Sequence, residues 1–266
     1  MLKIAVIGCG AISQAVLEEL SRDAQVHVAC VVVRPESLAA ARARVGELVP
    51  GTEVCTELPA RPLDLVVEAA GHAAIGQHVV PALLRGVPCV MVSIGALAAP
   101  GVAERLEQAA RAGSTQVRLI AGAIGALDAL AAARLGGLAQ VTYTGRKPPQ
   151  AWEGTPAADA FALSGLREPT TIFEGSAREA CALYPKNANV AAAVSLAGMG
   201  MEATRVRLVA DPALRENAHQ VHARGAFGEF ELVMRNRALA SNPKSSSLTV
   251  YSVLRAVRSW LDPVVI

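Results

Sequence analysis

The sequence predicts an α/β protein of two domains, a parallel sheet covered by helices on both faces and then an α+β unit. Three observations predict it. Over the first 123 residues short apolar runs alternate with amphipathic segments, the pattern of βα units that feed a parallel sheet. From about residue 124 period-2 alternation replaces the solid runs, which indicates a half-exposed, largely antiparallel sheet. The chain also opens on MLKIAVIGCGAIS, an apolar run, a glycine pair and the start of an amphipathic segment.

That opening stretch organises the first domain. Ile4 to Ile7 form a buried strand, Gly8 permits the sharp reversal, and Gly10 lets backbone approach a pyrophosphate resting on the free N–H groups at Ala11 and Ile12. The third small position of this dinucleotide fingerprint holds Ser13 rather than Gly or Ala. A Rossmann-type, NAD- or NADP-binding unit is the expectation. The competing reading is a glycine turn that serves only strand–helix packing.

Ala11 to Leu20 repeats apolar residues at helical spacing, and Val26 to Val33 reads as a second buried strand. In a nicotinamide-binding unit the residue after that strand meets the adenosine ribose, where an acid selects NAD and an Arg accepts a 2′-phosphate. Arg34 stands there, followed by Pro35-Glu36, so both cofactors are expected to be tolerated. Ser37 to Leu48 is a helix and Leu63 to Ala69 a third strand. Ala74 to Arg85 is a helix closed by Gly86. Pro88 to Ile94, Val102 to Ala112 and Val117 to Ala121 continue as strand, helix and strand. Ligands of such sheets bind beyond the carboxyl ends of the strands. The loops Gly8–Ile12, Gly71–His72, Ser93–Ala96 and Gly122–Gly125 are thus expected to face one crevice.

The second domain reads as a helix at Leu127 to Leu135, then strands at Gln140 to Thr144 and Thr170 to Glu174 with a proline-marked irregular stretch between them. A long apolar helix, Ala177 to Ala197, is interrupted near Tyr184-Pro185. Strands at Ala203 to Ala210, Asn217 to Arg224 and Ala226 to Arg235 complete it. A last helix, with Asn242 as N-cap, Pro243 in its first turn and an apolar stripe of Leu248, Tyr251, Leu254 and Val257, is expected to return to the first domain. The predicted domains are residues 1–123 with 243–266, and residues 124–242. The chain then crosses between them twice.

Composition narrows the function classes. The 266 residues are 52% hydrophobic and carry a formal charge of +2 without a basic block, and aromatics are scarce, so nucleic acid is not expected as a partner. No run of about 18 apolar residues suggests a membrane span and no signal peptide is visible, so a cytoplasmic protein is expected. The five cysteines are scattered without a C-x-x-C pair, which favours reduced core thiols over disulfides or a metal. The apolar excess hints at a buried subunit interface.

Three polar clusters interrupt the Ala/Val/Leu background of the second domain: Tyr184 to Asn189, Glu216 to His222, and Ser241 to Ser247. The chain has four lysines against 21 arginines, and two of the four, Lys186 and Lys244, follow prolines in these clusters. Either can hold a carboxylate as a point charge or simply be solvated. His219 and His222 share one strand, but their odd separation puts them on opposite faces, and periodicity does not choose between them.

The stretches AVIGCGAI, AGAIGALDAL, YPKNANVAA, NAHQVHARGAFGEF and NPKSSSLT, in this order and spacing, resemble the L-aspartate dehydrogenases of the NAD-biosynthesis type over almost the whole chain. The resemblance implies NAD(P)-dependent oxidative deamination of L-aspartate to iminoaspartate, which yields oxaloacetate and ammonia or feeds quinolinate synthesis. It also implies a homodimer. The family's catalytic N-x-H motif falls on Asn217-Ala218-His219 and selects His219. Its cofactor contacts in A-I-G and K-N-A-N fall on Ala123 and Asn189. Amine deprotonation and imine hydrolysis suit a group that titrates near neutrality, and His219 is expected to be that group. Lys186, Asn187, Lys244 and Ser245 are nominated to hold the two substrate carboxylates. Ser13 and Arg34 depart from the usual pattern and leave the NAD/NADP preference open. The rival readings are an NAD(P)-dependent reductase of a small dicarboxylate or aldehyde, homoserine dehydrogenase-like or dihydrodipicolinate reductase-like, and a non-catalytic NAD(P)-binding sensor. A substrate screen separates the first, and absence of any turnover the second. No His/Asp/Glu spacing resembles a metal-ligand set.

Overall fold

A computed structural model describes residues 1–185 and 187–265, with all their side chains except those of Pro243 and Lys244. The chain forms two compact units. One holds Met1–Ser93, Pro100–Ile120 and the C-terminal segment from Thr249; the other holds Ile94–Ala99 and Ala121–Leu248.

In the first unit β1 (Leu2–Ile7) leads into α1 (Ala11–Leu20), β2 (Val26–Val32), α2 (Leu38–Leu48), β3 (Glu53–Cys55) and β4 (Leu65–Glu68). There follow α3 (His72–Ala74), a π-helical turn over Ile75–Val79, α4 (Val80–Leu84), β5 (Cys89–Met91), α5 (Val102–Ala112) and β6 (Val117–Leu119). The strands are all parallel, in the order β3-β2-β1-β4-β5-β6. This is the doubly wound order, whose direction of winding reverses beside β1. β1 and β4 are apolar throughout because helices cover both faces, and Ile4, Val6, Leu65 and Val67 are fully buried. The edge strand β3 departs from the expected five strands. Its three residues bury only Val54, too little to register as an apolar run.

In the second unit α6 (Leu127–Gly136) precedes β7 (Leu138–Lys147), α7 (Pro156–Ala160), β8 (Thr170–Ser176), α8 (Ala177–Leu183), α9 (Asn189–Ala197) and α10 (Gly200–Ala203). β9 (Arg205–Ala210), β10 (Asn217–Gly225), β11 (Gly228–Asn236), β12 (Ala238–Leu239) and β13 (Asn242–Ser246) follow. The main sheet runs β11-β10-β7-β9-β8, with β7 and β9 parallel and the other pairs antiparallel. Alternation decides its faces: Val141, Tyr143, Gly145 and Lys147 are buried on β7, while Gln140, Thr142, Thr144 and Arg146 are less so. Ser176 and Glu179 form a reciprocal capping box at the start of α8.

The C-terminal region corrects the expected cap. Asn242 does not open a helix. Backbone pairing of β13 with β12 takes residues 242–246, and α11 (Ser247–Arg258) begins later, where Ser246 Oγ accepts from Leu248 N at 3.2 Å. Its buried stripe is Val250, Val253 and Val257, whereas Tyr251 is exposed. From Thr249 onward this helix belongs to the first unit, where Arg258 bonds Asp23 at 2.7 Å.

Candidate active site

At the carboxyl ends of β1, β2 and β4 the first unit carries a cleft of about 490 Å³, lined among others by Gly8, Gly10, Arg34, Ser37, Gly71 and His72. Gly8 is required here. Its φ is +103°, and a Cβ would lie 2.7 Å from Ala69 O. Gly10 has open space where a Cβ would stand, and it precedes α1 without a side-chain cap. The amides at Ala11 and Ile12 are thereby left for a ligand, the arrangement that receives a pyrophosphate. These features fit an NAD(P) diphosphate. Ser13, in place of the third glycine, is fully buried and donates its hydroxyl to Ala69 O at 3.2 Å, which ties α1 to the end of β4. Arg34 is largely exposed and pairs with Glu36 at 3.2 Å.

Beneath this cleft lies a residue that sequence reasoning passed over. Glu68 is wholly buried at the end of β4, and its carboxyl group accepts from Ala70 N, Gly71 N, Ser93 N and Ser93 Oγ at 2.7–3.0 Å. It holds the turn after β4 to the end of β5. Its place at the close of an apolar run, followed by Ala70-Gly71, was the available signal.

In the second unit the polar side chains gather at one end of the helix-covered sheet face. His219 on β10 stands opposite Gly145 on β7 and Met234 on β11. It is 3% exposed, and its Nδ1 lies 2.8 Å from Tyr143 Oη. His222 takes the other face, half-buried and 3.8 Å from Glu229. Lys147, at the end of β7 and on the His219 face, is 5% exposed; it donates to Asn187 Oδ1 at 2.8 Å and lies over the Trp152 ring. On the opposite face of the sheet from the His219 side chain, a recess of about 150 Å³ is lined by Arg146, Asp211 and Arg235 among others, and Arg146 and Asp211 pair at 2.6 Å.

One expectation is overturned. Burial, and after it the Lys147 charge, push the His219 imidazole down from 6.5 to about 3. Its environment was expected to leave it titrating near neutrality; in this desolvated position the ring is neutral instead.

The remaining nominated residues divide. Asn189, at the first position of α9, accepts from Gly95 N at 2.9 Å and so anchors the 94–99 segment within the second unit. Ala123 O accepts from Asn236 Nδ2 at 2.5 Å, and the turn that follows puts Ala126 at φ +58°. Asn187 meets Lys147, as above. Ser245 Oγ accepts from Asn242 Nδ2 at 3.1 Å on β13. Lys186 and the Lys244 side chain lie outside the described residues. Tyr143, Lys147 and Asn236 were not anticipated. Counting the period-2 alternation of β7 onward from Val141 reaches both Tyr143 and Lys147, and was the signal available. Among the described residues no group of three or more His, Cys, Asp or Glu side chains is placed to hold a metal, and no helix is long and apolar enough to cross a membrane.

Residues 8–119 match the family model for the NAD-binding domain of homoserine dehydrogenase, and residues 128–260 match that for the C-terminal domain of aspartate dehydrogenase. The chain is 58% identical to the L-aspartate dehydrogenase of Cupriavidus necator over 257 residues, 97% of each chain. It is 57% identical to that of Pseudomonas aeruginosa over 259 residues, again 97% of each. The crystal structure of aspartate dehydrogenase from Thermotoga maritima superimposes with a TM-score of 0.78 at 26% identity, covering 100% of this chain and 99% of that one. With a doubly wound cofactor domain, a second mixed-sheet domain and matches along its whole length, this chain belongs to the L-aspartate dehydrogenase family.

Proposed function

We propose that the chain catalyses the NAD(P)-dependent oxidation of L-aspartate to iminoaspartate, which is hydrolysed to oxaloacetate and ammonia or passed to quinolinate synthesis. The observation that carries this reading within the structure is the buried, neutral His219 on the same sheet face as the buried Lys147 cation. A substrate with two carboxylates suits a buried ammonium whose amide neighbour, Asn187, fixes its position. Lys186, Lys244 and Ser245 remain nominated for the second carboxylate. His219 contacts the reacting centre through the ring nitrogen that Tyr143 does not engage. When bound, the nicotinamide accepts the hydride from Cα. Gly8, Gly10, Ala11 and Ile12 receive the diphosphate, Arg34 meets the adenosine ribose or its 2′-phosphate, and Ala123 and Asn189 contact the nicotinamide end. Exposed Arg34 is compatible with either NAD or NADP.

The chain is further proposed to act as a homodimer, in keeping with a sheet face that carries a recess of about 560 Å³ lined by Thr142, Thr144, Arg205, Arg207 and Gln220. Five free cysteines fit a reducing compartment and support placement in the cytoplasm.

His219→Ala tests the site. The expected result is retained NADH binding with turnover reduced by about 10²–10³-fold. Wild-type turnover in that variant removes His219 from the reaction.

A further inference from the structure

The contact between Tyr143 and His219 decides more than packing. Tyr143 is fully buried, and among the described residues its hydroxyl has one hydrogen-bond partner, His219 Nδ1 at 2.8 Å. Two proton arrangements satisfy that distance. If Nδ1 carried the proton and donated it to the tyrosine oxygen, the buried O–H would be left without an acceptor, the costly arrangement. If the hydroxyl donates to Nδ1, both groups are satisfied, and the single imidazole proton resides on Nε2.

The strand pair is built for this contact. Tyr143 and Gly145 lie on one face of β7, and Gly145 stands directly opposite His219 on β10. A Cβ at Gly145 would fall 2.7 Å from Tyr143 Oη and 3.2 Å from its ring carbon Cζ. The glycine leaves the volume through which the phenol crosses to the imidazole. The two rings lie nearly parallel, 17° apart, with centroids at 6.0 Å, so the contact is edge-on through the polar atoms. The Lys147 cation is on the same strand face and disfavours an imidazolium.

We propose that Tyr143, admitted by Gly145, is a positioning residue that locks His219 in the neutral Nε2–H tautomer, so that His219 serves aspartate oxidation as a hydrogen-bond donor rather than as a proton acceptor. This rests on the reading of His219 as the group at the reacting centre. A neutral imidazole N–H polarises an oxygen without moving a full charge, a role other enzymes give to histidines of depressed basicity. The oxygens it serves reach Cα after the hydride has left: water adds to the protonated imine and releases a proton to solvent, giving the carbinolamine hydroxyl, and the amine then takes a proton from solvent and leaves as ammonia while the hydroxyl proton is released and the carbonyl of oxaloacetate forms. No proton leaves the imidazole in either direction, so the proton of the substrate ammonium goes to solvent or to another group before the hydride departs.

The test is nitrogen-15 NMR of histidine-labelled protein, with the His219 signals identified by their loss in His219→Gln. The wild-type protein is expected to show the Nε2–H tautomer at His219, unchanged from slightly acid to alkaline pH. Tyr143→Phe is expected to mix the tautomers, and to lower kcat by about 10- to 100-fold, as loss of an orienting partner does at other functional imidazoles, with little change in KM. An Nδ1–H tautomer or an imidazolium in the wild-type protein at neutral pH overturns the proposal, and so does a Tyr143→Phe enzyme whose tautomer is lost but whose kcat is kept. The wild-type spectrum needs no variant to fold beyond the one used for assignment. Failure of the functional reading is separately visible: it shows as full turnover in His219→Ala, whatever the spectrum reports.

Discussion

A histidine held neutral inside a sheet makes stability depend on pH in a direction that can be worked out. The His219 pKa is 6.5 when unburied and about 3 in the fold. Between those values the unfolded chain holds the proton and the folded chain does not. The contribution to stability is therefore complete above pH 6.5 and falls as pH drops, by about 1.4 kcal/mol per unit within the window. Urea midpoints of the wild type and of His219→Gln are expected to diverge between pH 7 and pH 5, with the wild type losing more; parallel losses would show that His219 is not the group responsible. The identity of His219 was legible only through the N-x-H resemblance, because strand periodicity separates it from His222 without ranking the two. Its partners were not legible. Lys147 precedes Pro148-Pro149 and reads as the start of a loop, although strand pairing with β9 continues through it to Ala210.

Among the elements, the turn after β4 carries an unusual share of polar contacts. One Glu68 oxygen accepts from Ala70 N, Gly71 N and Ser93 Oγ, and the other from Ser93 N. Ala70 and Gly71 line the cleft assigned to the cofactor. Glu68→Gln keeps the shape but turns an NH₂ group toward one of these donors, leaving it unsatisfied at a cost of about 1–3 kcal/mol. The expected outcome is a lower urea midpoint together with weaker NADH binding, read by quenching or fluorescence titration. A lower midpoint with unaltered NADH affinity would reduce Glu68 to a purely structural part. The elements themselves were legible where apolar runs were long, as in β1, β2 and β4. They were missed where pairing rather than composition forms the element. β3 buries only Val54, and β13 overrides the helix-start grammar of Asn242-Pro243 by bonding to β12.

Across the whole molecule the change from solid apolar runs to alternation marked the passage from one unit to the next. The path of the chain was less legible. It passes between the units four times rather than twice, because Ile94–Ala99 joins the second unit before α5 and β6 return to the first. IGALA is a short apolar stretch with no mark of that excursion, which becomes visible only through the bond between Gly95 N and Asn189 Oδ1. Asn189 thus has one structural task in addition to the cofactor contact proposed for it. The two family matches follow the same division, one to the NAD-binding domain of homoserine dehydrogenase and one to the C-terminal domain of aspartate dehydrogenase. Specificity for aspartate should accordingly reside in the second unit, and rival substrates of other enzymes with a similar cofactor domain are the controls that matter. The most direct measurement is reduced-nicotinamide absorbance with L-aspartate and either NAD or NADP, beside L-glutamate, L-alanine and L-homoserine, and in reverse with oxaloacetate and ammonia. Reduction with L-aspartate alone, and oxidation in the reverse assay, is the predicted result. Turnover of L-homoserine in preference to L-aspartate, or no turnover of L-aspartate in either direction, would contradict the account.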